Sequence, residues 1–253
     1  MRIASLAPSV TEILYELGAQ DEIVCSTVFC DYPDSARKLP KVGSWTHINF
    51  EKLKGLTPEI VFTSSAVQGK LTGELRDQGF KVVNINPLRL NDVVESYNQI
   101  GVLVGKREAA ERLSSSLYQK IMGFHLHAAN KEPVRVYCEE WSNPPMVAGN
   151  WVPDLVELAG GRAMAEAGKL SREFDFLEIK EFNPKLIVLH ICGMGTRVDP
   201  LSVARRDGWE ELEAVKSGRI QVIDDSHLNR PTSRLFEGLY KLKKIINENQ
   251  SQV

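Results

Sequence analysis

Phe50-Glu51-Lys52-Leu53-Lys54-Gly55-Leu56-Thr57-Pro58-Glu59-Ile60-Val61-Phe62 and Phe176-Leu177-Glu178-Ile179-Lys180-Glu181-Phe182-Asn183-Pro184-Lys185-Leu186-Ile187-Val188 carry one pattern in one register. Phe, an aliphatic residue, Lys, Pro and an apolar run recur at the same places. Each copy predicts a helix whose exit is set by proline, then a short all-apolar strand of the kind buried on both faces of a parallel sheet. Two further pairs repeat the match. Thr11-Glu12-Ile13-Leu14-Tyr15-Glu16-Leu17-Gly18 is mirrored by Pro153-Asp154-Leu155-Val156-Glu157-Leu158-Ala159-Gly160, and Gly79-Phe80-Lys81-Val82-Val83-Asn84 by Gly218-Arg219-Ile220-Gln221-Val222-Ile223. The chain is therefore expected to be α/β, with two similar Rossmann-like lobes and a ligand cleft between them.

The expected lobes are residues 1–104 and 132–253, with residues 105–131 as a linker helix. Helical character runs from Asn91 to about Asn130, broken near Gly105-Lys106, and Leu113, Leu117, Ile121, Phe124 and Ala128 recur three and four apart. A helix of about 20 residues reaches roughly 30 Å, a rigid join rather than a Gly/Ser hinge. In the first lobe strands are expected at residues 2–6, 23–28, 60–63 and 81–85, with Ser9 or Thr11 capping the first helix. In the second a strand is expected at 134–138, and Glu139 to Met146 reads as loop.

With 253 residues, 43 % hydrophobic and 25 % charged, the chain can bury one large core or two modest ones. Net charge is −2 and the basic residues form no stripe, so no nucleic-acid partner is expected. Cys25, Cys30, Cys138 and Cys192 lack C-x-x-C spacing, which disfavours a zinc ribbon while leaving distant pairing open. No apolar run approaches the roughly 20 residues of a membrane span, and Met1 leads straight into strand-like sequence without a signal peptide. A soluble monomer is expected, cytoplasmic on the sequence as it stands.

The chemically capable residues follow the strands, at the edge where α/β folds place ligands. The expected ligand-binding set is Ser9, Tyr32, Trp45, Ser64 and Ser65 from the first lobe, and Glu140, Trp141, Trp151, His227 and Arg230 from the second. This mixture of aromatic and polar groups suits a large, partly apolar ligand. Cys30, His190 and Cys192, with His227, form a candidate soft-metal set. Glu139 and Glu140 are neighbours on a strand and should point to opposite faces, which argues against an acid/base pair. The chain lacks G-x-S-x-G, G-x-G-x-x-G and Walker A patterns, so no enzyme activity and no required cofactor are expected.

Ile3-Ala4-Ser5-Leu6-Ala7-Pro8-Ser9-Val10-Thr11-Glu12, Cys30-Asp31-Tyr32-Pro33, Val42-Gly43-Ser44-Trp45 and Leu56-Thr57-Pro58-Glu59-Ile60-Val61 resemble the substrate-binding proteins of ABC importers for cobalamin, haem and ferric siderophores, the class III periplasmic binding proteins. The segment Glu140 to Pro153, with His190-Ile191-Cys192-Gly193 and Asn229-Arg230-Pro231, is similar to a cobalamin-binding-like branch whose members often lack an export signal. The resemblance implies a bilobal fold around a rigid helix, little hinge motion, and a metal-chelate ligand, cobalamin favoured and haem or a ferric siderophore next. It implies a corrin held by Tyr32, Trp45, Trp141 and His227, the last standing where cobalamin binders tend to carry an aromatic residue. It also implies an ABC permease as partner and a periplasmic or cell-surface location. Importer-linked relatives present an acidic docking residue after the 60–63 strand, where this chain reads Gln68-Gly69-Lys70. The alternative function is a cytosolic metal- or corrinoid-handling protein, or a metal-dependent enzyme, using the Cys and His residues.

Overall fold

The structure, a computed structural model, describes residues 1–126 and 132–250. Ala128 and Asn130, expected at the end of the long helix, lie outside the described residues. In chain order the strands are β1 (Ile3–Ser5), β2 (Ile23–Ser26), β3 (Ile60–Ser64), β4 (Val82–Ile85), β5 (Val134–Ser142), β6 (Pro145–Val147), β7 (Gly161–Ala163), β8 (Arg172–Glu173), β9 (Leu186–Leu189) and β10 (Ile220–Val222). The α-helices are α1 (Pro8–Glu16), α2 (Phe50–Gly55), α3 (Gly69–Asp77), α4 (Leu90–Leu103), α5 (Arg107–Leu126), α6 (Val152–Leu158), α7 (Phe176–Phe182), α8 (Leu201–Ala204), α9 (Glu213–Lys216) and α10 (Leu235–Gln250).

The chain divides into two compact units, Met1–Pro87 with Val94–Leu117, and Leu88–Val93 with Tyr118–Val253. Both α4 and α5 contribute residues to each unit. The first turn of α4 belongs to the second unit because Asp154 of α6 holds it: its carboxylate accepts from Arg89 Nε and Nη2 and from the Leu90 backbone N–H. Further along, Tyr97 is buried in the first unit and its hydroxyl donates to Glu16.

The first unit is built on a parallel sheet of order β2-β1-β3-β4. Ala4, Leu6, Cys25, Leu53, Val61, Leu71 and Leu75 make its core. The apolar run of β3 is buried from end to end, as a central parallel strand requires. The α1 helix starts on Pro8, which needs no partner for a missing N–H, so neither Ser9 nor Thr11 caps it. Thr11 instead bridges inward, donating to the Ala7 carbonyl at 3.1 Å with its hydroxyl 2.8 Å from Ser5 Oγ.

The second unit carries a sheet of order β10-β9-β5-β6-β8 in which β10, β9 and β5 are parallel. Here the sequence expectation needs correcting. Residues 139–146 are not a loop: β5 continues to Ser142 and returns as the antiparallel β6, which pairs with β8. The prolines, read as loop formers, occupy the turn and the first position of β6, and Asn143-Pro144 is cis. One edge of β5 is thus shared, its first half pairing β7 in parallel and its second half β6. Tyr137, Ile179, Ile187, Leu189, Trp209 and Leu212 form the core beneath.

The repeat is visible in backbone detail. Asn49 and Asp175 cap α2 and α7 alike, each side chain accepting from the backbone N–H three residues on. Thr57 and Asn183, which precede the matched prolines, both adopt left-handed backbone, with φ of 43° and 44°.

Candidate functional site

In the first unit every strand is parallel, so the carboxyl ends of β1, β2 and β3 open into loops along one edge. Gln68, fully buried, joins these loops. Its Oε1 accepts from the Ser64 N–H at 2.6 Å, and its Nε2 donates to the Leu6 carbonyl at 3.0 Å and the Trp45 carbonyl at 2.6 Å. A side chain that presents both an acceptor and donors is needed there, which an acidic residue is not. Of the three residues that stand where relatives were expected to show a docking acid, Gln68 is therefore internal in this chain, while Gly69 and Lys70 are exposed. Lys41 makes a second brace: Nζ donates to Ser26 Oγ, Cys30 O and Ala36 O, each at 2.9 Å. Burial pushes its ammonium below the usual lysine range.

The Lys41 brace holds up a loop with an exposed apolar crest. Tyr32, Phe29 and Val28 are 44 %, 51 % and 55 % exposed, and Val67 stands out of the loop after β3. Trp45 is half-buried, with its carbonyl taken by Gln68. Ser65 is held in a conformation L-residues rarely adopt, φ 63° and ψ 167°. Its hydroxyl accepts from Val67 N–H and its carbonyl from Asn84, fixing that strained turn. Ser9 and Ser64 are buried, and the Ser64 hydroxyl is committed to the Ile85 carbonyl at 2.7 Å. Cys30 is buried too, its sulfur 3.3 Å from the Thr27 hydroxyl and donating to the Ser5 carbonyl.

In the second unit the loops after β5, β9 and β10 carry the expected residues. Trp141 is 47 % exposed at the end of β5, its indole N–H donating to the Asn143 carbonyl at 3.0 Å. Trp151, expected beside it, presents no ring: it is buried and its N–H is committed to the Leu228 carbonyl at 2.7 Å. Leu170 and Met194 add exposed apolar surface in neighbouring loops.

The two glutamates have separate partners, in a stretch of β5 whose register with β6 is irregular between Glu139 and Trp141. Glu139 is fully buried, receiving Arg206 Nη1 at 2.6 Å and Nη2 at 2.7 Å, Tyr137 Oη at 2.6 Å and Ser142 Oγ at 3.0 Å. Glu140 lies half-buried and accepts from Ser171, whose Oγ in turn accepts the Gly149 N–H at 2.9 Å. Burial raises the Glu140 carboxyl above the usual glutamate range, and the Ser171 bond opposes the rise.

Asn229 ties the loops after β9 and β10 together. Its Oδ1 lies 2.5 Å from His190 Nδ1, and its Nδ2 donates to the His190 carbonyl and to Cys192 Sγ, both at 3.0 Å. Burial drives His190 down to about 4, so the ring is neutral, donates through Nδ1, and leaves Nε2 without a partner among the described residues. Asp225 fastens the same loop from below, accepting the Gly193 and Gly195 backbone N–H groups. Burial of its sulfur, then the Glu140 carboxylate, push the Cys192 thiol up to about 12, although the residue as a whole is exposed.

His227 sits between two α10 side chains, Nδ1 2.8 Å from Lys241 Nζ and Nε2 3.0 Å from Glu237 Oε2. Burial, then Lys241, lower it, so the neutral ring accepts from Lys241 and donates to Glu237. Arg230 is half-buried in the same loop. Among the described residues no group of three or more His, Cys, Asp or Glu side chains is placed to hold a metal ion. Cys30, His190 and Cys192 are each engaged within their own unit instead, and the four cysteines are free thiols.

Sequence reading passed over Lys41 and Gln68 as builders of the site. Their signal was faint, a lysine and a glutamine in loops, because their value lies in acceptors distant in sequence. Asn229 was legible as a polar residue after a strand and within its Asn-Arg-Pro motif, but not as the tie between two loops.

The arrangement is that of a receptor: braced loops, exposed rings, and a buried Glu139 engaged with its own frame. Among the described residues no helix is long and apolar enough to cross a membrane. YvrC of Bacillus subtilis, an uncharacterized ABC transporter substrate-binding lipoprotein, is 28 % identical over 257 residues, taking in 97 % of this chain and 79 % of the relative. The vitamin B12-binding protein of Vibrio cholerae is 24 % identical over 260 residues, 99 % of this chain and 91 % of the relative. Among solved structures, periplasmic vitamin B12 binding protein BtuF of Vibrio cholerae superposes with a TM-score of 0.80 at 22 % identity, covering 98 % of this chain and 97 % of its own. The periplasmic heme-binding protein RhuT of Roseiflexus sp. reaches 0.83 at 22 %, covering 98 % of each. The characteristic profile of one family spans residues 3–227, nearly the whole α/β pair described above, and on that match the chain belongs to the periplasmic binding protein family, whose members bind and are not enzymes.

Proposed function

We propose that this chain is the substrate-binding component of an ABC importer and that its ligand is a metal chelate, cobalamin first, with haem or a ferric siderophore next. The observation that carries the reading is the placing of exposed rings at the carboxyl ends of the strands: Tyr32 and Phe29 in one unit, on a loop braced by Lys41, and Trp141 in the other, near the end of β5 with its indole N–H donating to the Asn143 carbonyl. Rings left in water and held rigid suit stacking on a flat macrocycle, because little side-chain order remains to be lost on binding. The names of the relatives, vitamin B12-binding and heme-binding proteins, support the same ligand class. Capture would proceed by stacking and hydrogen bonding, and release by an ABC permease in the membrane. Tyr32, Trp45, Ser65, Glu140, Trp141, His227 and Arg230 are the residues proposed to meet the ligand.

The test is titration of purified protein with cyanocobalamin, hydroxocobalamin, haemin and a ferric hydroxamate, followed by calorimetry and visible absorbance. Saturable one-to-one binding to one of these, weakened about tenfold or more by Trp141→Ala, is the expected result. Absence of binding to all four overturns the proposal.

A further inference from the structure

Glu139 and Glu140 near the end of β5 and Asp224 and Asp225 after β10 are carboxylates at the strand ends of the second unit, and three of these are spent on the protein itself. Glu139 takes both Arg206 nitrogens, Tyr137 and Ser142. Asp225 takes two backbone N–H groups of the loop after β9, and Asp224 takes the N–H and hydroxyl of Ser226. Glu140 differs. It is half-buried, accepts from Ser171, and has no cation within ion-pair distance among the described residues. A carboxylate has room for about four hydrogen bonds, so most of its capacity is open. Its carboxyl is also aimed rather than loose, because Ser171 is fixed from behind by the Gly149 N–H. Trp141, the exposed ring of this unit, is the next residue in the chain.

We propose that Glu140 selects the ligand, accepting hydrogen bonds from amide N–H groups and disfavouring a ligand that would set a carboxylate against it. This inference rests on the chelate-binding reading and divides its candidates. The corrin of cobalamin is rimmed with neutral amides, whose N–H groups meet an ionised acceptor in bonds stronger than those between neutral groups. Haem carries two propionates, and a like charge left facing Glu140 in a partly desolvated contact is unfavourable.

The experiment compares cyanocobalamin and haemin on wild-type protein, Glu140→Gln and Glu140→Ala. Gln keeps the shape and the acceptor for Ser171, so it separates charge from folding, which thermal melts check for both variants. The wild type is expected to prefer cyanocobalamin. Glu140→Ala should weaken cyanocobalamin about tenfold and Glu140→Gln about fivefold, while Glu140→Gln tightens haemin. Cyanocobalamin affinities within twofold of wild type in both variants, or haemin bound more tightly by wild type than by Glu140→Gln, overturn the inference and leave chelate binding standing. Wild-type protein that binds neither probe nor a ferric hydroxamate overturns the chelate reading, and this inference with it.

Discussion

His190 shows how one buried side chain couples the candidate site to pH. Its folded-state value of about 4 lies below the ordinary 6.5, so between these values the unfolded chain takes up a proton that the native ring refuses. Its contribution is therefore complete above pH 6.5 and is lost as pH falls toward 4, at up to about 1.4 kcal/mol per pH unit. Urea midpoints measured from pH 7 to 4.5 should fall more steeply for wild type than for His190→Gln; parallel curves would refute this. Gly238 makes a steric prediction at the same scale. A Cβ there would stand 2.2 Å from the His227 carbonyl oxygen, so α10 approaches that loop only through a glycine. Gly238→Ala should destabilise by about 1–3 kcal/mol, read as a lowered Tm, and should disturb the Asp224 to Arg230 loop. Neither effect is legible in sequence, because a histidine's pKa and a glycine's clearance depend on what packs against them.

At the scale of elements, the loops owe their positions to polar side chains that reach across the fold. Gln68→Ala removes partners from Ser64 N, Leu6 O and Trp45 O in a buried setting, and should cost about 2–4 kcal/mol with a shift in Trp45 fluorescence. Gln68→Glu should do no better, since a carboxylate would face two carbonyl oxygens. An unchanged Tm in either variant would show that Gln68 does not hold these loops. Lys41→Met should speed hydrogen exchange in residues 30–37 without unfolding β1 or β3, because only the Cys30 and Ala36 carbonyls and Ser26 Oγ lose their donor. Helices and parallel strands were readable from their periodicity, down to the matched α2-β3 and α7-β9 pairs. The β5-β6 hairpin was not, because proline-rich composition outweighed a strand whose partner could not be seen.

At the scale of the whole molecule, the prediction is a binder whose affinity resides in exposed rings. Tyr32→Ala and Trp141→Ala should each weaken the bound chelate with little change in Tm, as both residues are about half exposed, whereas Trp151→Ala should lower Tm by losing a buried ring and its bond to Leu228. A reversal of that pattern would exchange the roles of the two tryptophans. By itself the sequence determined the α/β class, the duplicated helix-strand unit and the family, because hydrophobic period, proline placement and local motifs act over a few residues. Only the tertiary structure decided which strand-end residues face outward. Trp141 and Trp151 are alike in type and ten positions apart, and Glu139 and Glu140 adjoin, yet one of each pair is interior. Burial, hydrogen-bond closure and the shift of a titrating group are set by neighbours that the fold brings from elsewhere in the chain.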